Sequence, residues 1–102
     1  MEQLYGMHGR ISALPGKGDD LEAILLAAAE GLRGVPECLL YVVFRDDADP
    51  DAVCITEAWA TREAHDASLR QESVQAQIAQ AMPLLAGRPD ATELRPVGGK
   101  GL

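Results

Sequence analysis

The apolar positions of the chain change period along its length, and each change marks an element. From Leu4 to Leu14, Tyr5, Met7, Ile11 and Ala13 fall on one side and His8, Arg10 and Ser12 on the other. A period of two is that of a strand with one covered face. Gly6 and Gly9 interrupt it, as glycine does at a bulge or where another backbone comes close. Pro15-Gly16-Lys17-Gly18 then reads as a turn. Beyond it the period becomes helical: Leu21, Ile24, Leu25, Ala28 and Leu32 make one apolar stripe. Asp19 is placed to cap this helix, Glu22 completes a capping-box pattern, and Gly34 and Pro36 stop it.

Cys38 to Phe44 is an unbroken apolar run rich in strand formers. A strand with one wet face would alternate, so this one is expected to be covered on both faces. A small domain covers one face with its own helices, and the other then calls for a second copy of the chain. Asp46 to Asp51, with Pro50, is a polar turn, and Val53 to Ala60 is a third strand. Its Val53, Ile55, Glu57 and Trp59 share one face, with Cys54, Thr56 and Ala58 on the other. Thr61 caps a short helix with Ala64, His65, Ser68 and Leu69 on its inner stripe. A further helix carries Val74, Ile78, Ala81, Met82 and Leu85, kinked or entering its last turn at Pro83. Thr92 to Val97 can form a fourth strand. The order β-α-β-β-α-β predicts an α+β, ferredoxin-like domain with a four-stranded antiparallel sheet, helices on one face and a partner on the other.

Length and charge narrow this picture. The chain has 102 residues and reads as one domain over residues 1–97 with a glycine-rich tail at 98–102. Its net charge of −7 disfavours nucleic acid and anionic membrane as partners. Met1-Glu2-Gln3-Leu4 lacks a basic, then apolar, leader, so a cytoplasmic location is expected. Folding the hairpin about Ala48-Asp49-Pro50 sets Cys38 opposite a residue near Trp59. At roughly 3.4 Å per residue, Cys54 is then too distant for a disulfide, and both thiols are expected to be reduced. With no C-x-x-C and only His8 and His65, no metal site is expected.

Several residues could carry chemistry. Trp59, the sole tryptophan, can stack on a planar ligand and donate its N–H, or can simply fill the core. Glu57, on the same face, is a candidate base if that face is apolar, or a carboxylate paired with Arg10 or Arg45. His8 can line a pocket or face solvent. Tyr41 can point into a pocket or into a dimer interface, and a one-residue slip of the hairpin inverts the answer.

The run Glu57-Ala58-Trp59-Ala60-Thr61-Arg62-Glu63-Ala64 resembles the E-x-W-x-S/T-x-E-A signature of the antibiotic biosynthesis monooxygenase domain family, which includes proteins assigned as quinol monooxygenases. Leu14-Pro15-Gly16-Lys17, Pro36-Glu37-Cys38-Leu39-Leu40-Tyr41 and Ala81-Met82-Pro83-Leu84-Leu85 resemble three further motifs of that family, in the same order. The resemblance implies a dimeric α+β barrel with a pocket between helices and sheet in each subunit. It also implies oxidation of a quinol or polyphenol by molecular oxygen, with no metal, flavin or other cofactor. Many members carry histidines where this chain has Ser68 and Ser73, so His65, on the same helix as Ser68, is either the replacement or a half-exposed helical histidine. With no asparagine in the chain, haem-degrading relatives are poor guides. The expected site is therefore His65, Trp59 and Glu57 for catalysis, with Tyr41, His8, Ser68 and Ser73 binding substrate. The competing readings are a dimer that binds a small molecule without turnover, and an isomerase on the same barrel.

Overall fold

The computed structural model describes residues 3–102; Met1 and Glu2, part of the stretch read above for a leader, lie outside the described residues. The elements run β1 (Tyr5–Ser12), α1 (Gly18–Leu32), β2 (Cys38–Asp46), β3 (Asp49–Trp59), α2 (Arg62–Ser68), α3 (Glu72–Ala81), a 3₁₀ turn (Met82–Leu84) and β4 (Asp90–Leu94). The sheet order is β2-β3-β1-β4, and each neighbouring pair is antiparallel. This is the ferredoxin-like α+β arrangement that the order of periods predicts. No helix among the described residues is long and apolar enough to cross a membrane.

Register decides which side chains meet. Trp59 lies opposite Tyr5 on one side and Cys38 on the other, and Glu57 lies between Met7 and Tyr41. Directly opposed residues share a face, so Trp59, Glu57, Ile55 and Val53 point with Tyr41 and Val43 toward the helices. There Ala13, Leu21, Leu25, Val53 and Ile55 form the buried core, with Ile11, Val43, Leu84 and Leu85 packed around it. Each leucine, isoleucine or valine among them contributes about 1.5–3 kcal/mol on full burial. The cysteines are both free, with Cys38 opposite Trp59 and Cys54 opposite Phe44.

The other face of the sheet carries no helix of this chain. Leu40, Val42 and Phe44 project there in line with Ala58, Thr56 and Cys54. Phe44 is 49% exposed. Cys38–Phe44 is therefore covered on one face within a single chain, and its apolar outer side chains stay open to solvent.

Four local details depart from the sequence reading. Asp19 does not cap α1: the helix starts at Gly18, and Asp19 instead binds Arg45 Nη1 at 2.9 Å. The start is pulled back because the Gly16 and Gly18 amides donate to Asp51 Oδ1, tying the turn to the hairpin. A Cβ at Gly18 would strike the Pro50 carbonyl, so only glycine fits there. The β2–β3 turn is shorter than expected, and Pro50 lies inside β3, beside the irregularity between Arg45 and Asp46. Such a position does not need the missing donor. Finally, β4 occupies Asp90–Leu94 rather than Thr92–Val97, because pairing ends at Gly6–Leu94 and Pro96 beyond it has no N–H to give. Pro83 acts as expected, ending α3 and opening the 3₁₀ turn.

Candidate functional site

A cavity of about 440 Å³ opens between the sheet and the helices. Ala28, Gly31, Leu32 and Val35 supply one wall from α1 and the turn after it; Tyr41, Glu57 and Trp59 rise from the sheet; α2 gives Ala64, His65, Ala67, Ser68 and Leu69; and Gln71, Ser73, Val74 and Gln77 close it from α3. The walls are mainly apolar, with few polar groups converging, which is the usual character of a small-molecule site.

The polar centre follows from two local rules. Glu57 and Trp59 are two apart on β3 and so share a face, and Trp59 Nε1–H donates to Glu57 Oε1 at 2.8 Å. Thr61 then caps α2, its Oγ1 accepting from the Ala64 amide at 3.0 Å. The turn this starts points His65 back at the sheet, where Nε2 lies 3.6 Å from the same Glu57 oxygen. His65 is 6% exposed, not a surface helical histidine. Its ring stands edge-on to Trp59 at 5.7 Å and against Tyr5 at 4.8 Å. On the far side, His65 Nδ1 lies 2.9 Å from Asp66 Oδ1. A carboxylate only accepts, so this contact assigns the proton to Nδ1 and turns Nε2 toward Glu57.

Glu57 is not paired with either arginine considered from sequence. Arg10 binds Asp46 and Asp49, and Arg45 binds Asp19 and Glu22. Tyr41 points into the cavity, opposite Glu57 in the ladder. Burial, then the nearby Glu57 and Cys38, push its phenol well above the ordinary tyrosine value, so Tyr41 stays a neutral donor. Ser68 and Ser73 both line the cavity. The Ser68 hydroxyl is already engaged, donating to the His65 carbonyl at 2.6 Å.

His8 does not reach this cavity. It stands on the helix-free face, its Nδ1 2.8 Å from Thr56 Oγ1, because it alternates with the inward Met7. Sequence reasoning missed Asp66, Gln71, Gln77 and Gly31. For Asp66 its adjacency to His65 was the available signal; for Gly31 it was a glycine inside a helical stripe.

A shallower depression of about 350 Å³ lies on the other side of Tyr5, lined by Gln3, Leu4, Thr61, Arg62 and Glu63. It is open, and its Arg62 is engaged by Glu93 at 2.7 Å and stacks over Tyr5 at 5.4 Å. These contacts pin α2 to β4. Among the described residues, no group of three or more His, Cys, Asp and Glu side chains is placed to share a metal ion.

A family model described as antibiotic biosynthesis monooxygenase matches residues 4–80. The structure described as a "putative antibiotic biosynthesis monooxygenase" from Chloroflexus aurantiacus J-10-fl is 48% identical, with a TM-score of 0.84 and coverage of 94% of this chain and 95% of that one. One of the same description from Caulobacter crescentus CB15 is 22% identical, with a TM-score of 0.88 over 95% of this chain and 92% of its own. A third, from Nitrosomonas europaea, is 13% identical, with a TM-score of 0.88 over 95% and 93%. The last two show a shared fold. No curated protein matches the chain.

Proposed function

The chain belongs to the antibiotic biosynthesis monooxygenase family, and on that footing we propose that it oxidises a quinol or polyphenol with molecular oxygen and needs no cofactor to do so. The observation that carries this reading is the placement of Glu57 Oε1 between the Trp59 N–H and His65 Nε2 in an apolar-walled cavity. The planar substrate lies against Trp59. The Glu57–His65 pair takes a phenolic proton, and the neutral Tyr41 hydroxyl donates to the substrate oxygen that becomes negative. The anion is electron-rich enough to reduce oxygen directly. A dihydroquinone and dioxygen give a hydroxyquinone and water: one oxygen atom enters the ring, the other leaves as water, and every electron comes from the substrate.

Oxygen uptake with a panel of dihydroquinones, with product identified by mass, is the test. Uptake and a hydroxyquinone product are expected, with kcat falling about 10²-fold or more in Glu57→Gln and His65→Ala. No uptake with any dihydroquinone, or full rates in both variants, overturns the reading.

A second reading is a binding protein without turnover. It is favoured by Ser68, whose hydroxyl is held by a backbone carbonyl and offers no proton-transfer group where the resemblance leads one to look for a histidine. It predicts thermal stabilisation by the same quinols with no product.

The helix-free face, with Val42 and Phe44 open, is proposed to meet a second copy of the chain. A Phe44→Lys chain eluting as a monomer where the parent elutes as a dimer supports this; a monomeric parent overturns it. The acidic composition is consistent with a cytoplasmic protein that binds neither nucleic acid nor membrane.

A further inference from the structure

We propose that the cavity selects its ligand by charge, admitting neutral or amine-bearing aromatic molecules and rejecting those with a carboxylate, and that Glu37 sets this sign at the mouth. The inference rests on the reading of the cavity as a ligand site, but not on turnover.

Two residues that line the cavity carry carboxylates, Glu37 and Glu57, and none is lysine or arginine. The other polar lining groups, such as Tyr41, Gln71 and Gln77, are uncharged, and His65 is held between carboxylates. The arginines nearest in sequence do not contribute. Arg33 lies outside the wall and is bound to Glu30 at 2.8 Å. Arg70 falls between Leu69 and Gln71 but is exposed and absent from the lining. Sites that hold carboxylate or phosphate groups do so with arginine forks, lysines or helix N-termini; the helix start at this wall, that of α3 beside Gln71 and Ser73, already carries the carboxylate of Glu72 in its first turn. Here a ligand carboxylate would lose its water, find no lysine or arginine and meet Glu57 in a region of reduced dielectric.

The two glutamates differ in depth. Glu57 is largely buried and already accepts the Trp59 N–H. Glu37 is exposed at the start of β2, on the rim. Its backbone carbonyl is fixed by the Ala60 amide at 2.8 Å, which holds the rim against the end of β3. An ammonium group on a short arm would meet this rim carboxylate while the aromatic body lies deeper in the cavity. The net charge of −7 adds a long-range bias of the same sign.

The test uses three catechols with arms of similar size: ethyl, aminoethyl and carboxymethyl. Trp59, the sole tryptophan, reports occupancy by fluorescence quenching, and calorimetry gives the affinity. The carboxymethyl compound is expected to bind about tenfold or more weakly than the ethyl one, with the aminoethyl compound the tightest. Glu37→Gln should remove the aminoethyl advantage, and Glu37→Lys should let the carboxymethyl compound overtake it. Added salt should narrow the spread, since the rim charge is solvent-exposed. Equal affinities for the three, or an order unchanged in Glu37→Lys, overturn the charge filter while leaving the ligand site standing. Failure of all three to bind overturns both.

Discussion

Glu57 and His65 come from different elements, yet Glu57 Oε1 and His65 Nε2 lie 3.6 Å apart at the centre of the cavity. The approach depends on two anchors. Trp59 holds the carboxylate from one side, and Asp66 holds the imidazole from the other.

Asp66 is expected to act on catalysis through His65. Asp66→Ala removes the acceptor at Nδ1 and should allow both tautomers, visible as a change in the His65 ring nitrogen shifts, with kcat falling about tenfold and KM little changed. Asp66→Asn keeps an acceptor oxygen and should restore part of the loss. Unaltered ring shifts in Asp66→Ala would show that the contact does not select the tautomer.

The two tyrosines should titrate late. Burial is the main cause for both, joined by Glu57 at Tyr41 and by Glu93 at Tyr5. Both phenols are raised above the ordinary 10.0, so at pH 10 the native protein should show less tyrosinate absorbance than the unfolded chain, in which about half of the phenols are ionised. A phenol raised on folding favours the native state below pH 10, and that contribution is lost as pH climbs toward the folded value. Stability should therefore fall through this alkaline range, and Tyr41→Phe should flatten the fall.

Gly31 sits inside α1 and lines the cavity, and a Cβ added there meets nothing within 4 Å. Gly31→Ala should stabilise the chain by about 0.5–1 kcal/mol, because helix-interior glycine is the more costly residue. Gly31→Leu should project into the cavity and weaken ligand binding while leaving the melting temperature at or above that of the parent. Denaturant melts and Trp59 quenching measure the two effects separately.

Thr61 couples helix stability to the site. Thr61→Ala removes the cap on the Ala64 amide and should cost about 1 kcal/mol, a Tm drop of roughly 4–8 °C for a domain of this size. The same loosening should broaden the His65 signals. Thr61→Ser should recover both.

The sequence alone determined the order and type of the elements, since period and turn residues are local properties. The β1 alternation, the α1 stripe, the Thr61 cap and the Pro83 break all read directly from neighbouring residues. It also placed Glu57 and Trp59 on one face of β3, because a strand has a period of two. Tertiary structure decided which way those faces pointed. His8 and Met7 are adjacent, and only the pairing of β1 with β3 put Met7 under the helices and His8 outside. Helical spacing set His65 on the inner stripe of α2, but its depth depends on how α2 leaves β3 and on Arg62 pinning that helix to Glu93 across the sheet. The helix start at Gly18 and the end of β4 at Leu94 were shifted by contacts distant in the chain, with Asp51 and with Gly6. Local pattern fixes what each segment is; contacts between distant segments fix which of its faces becomes the site.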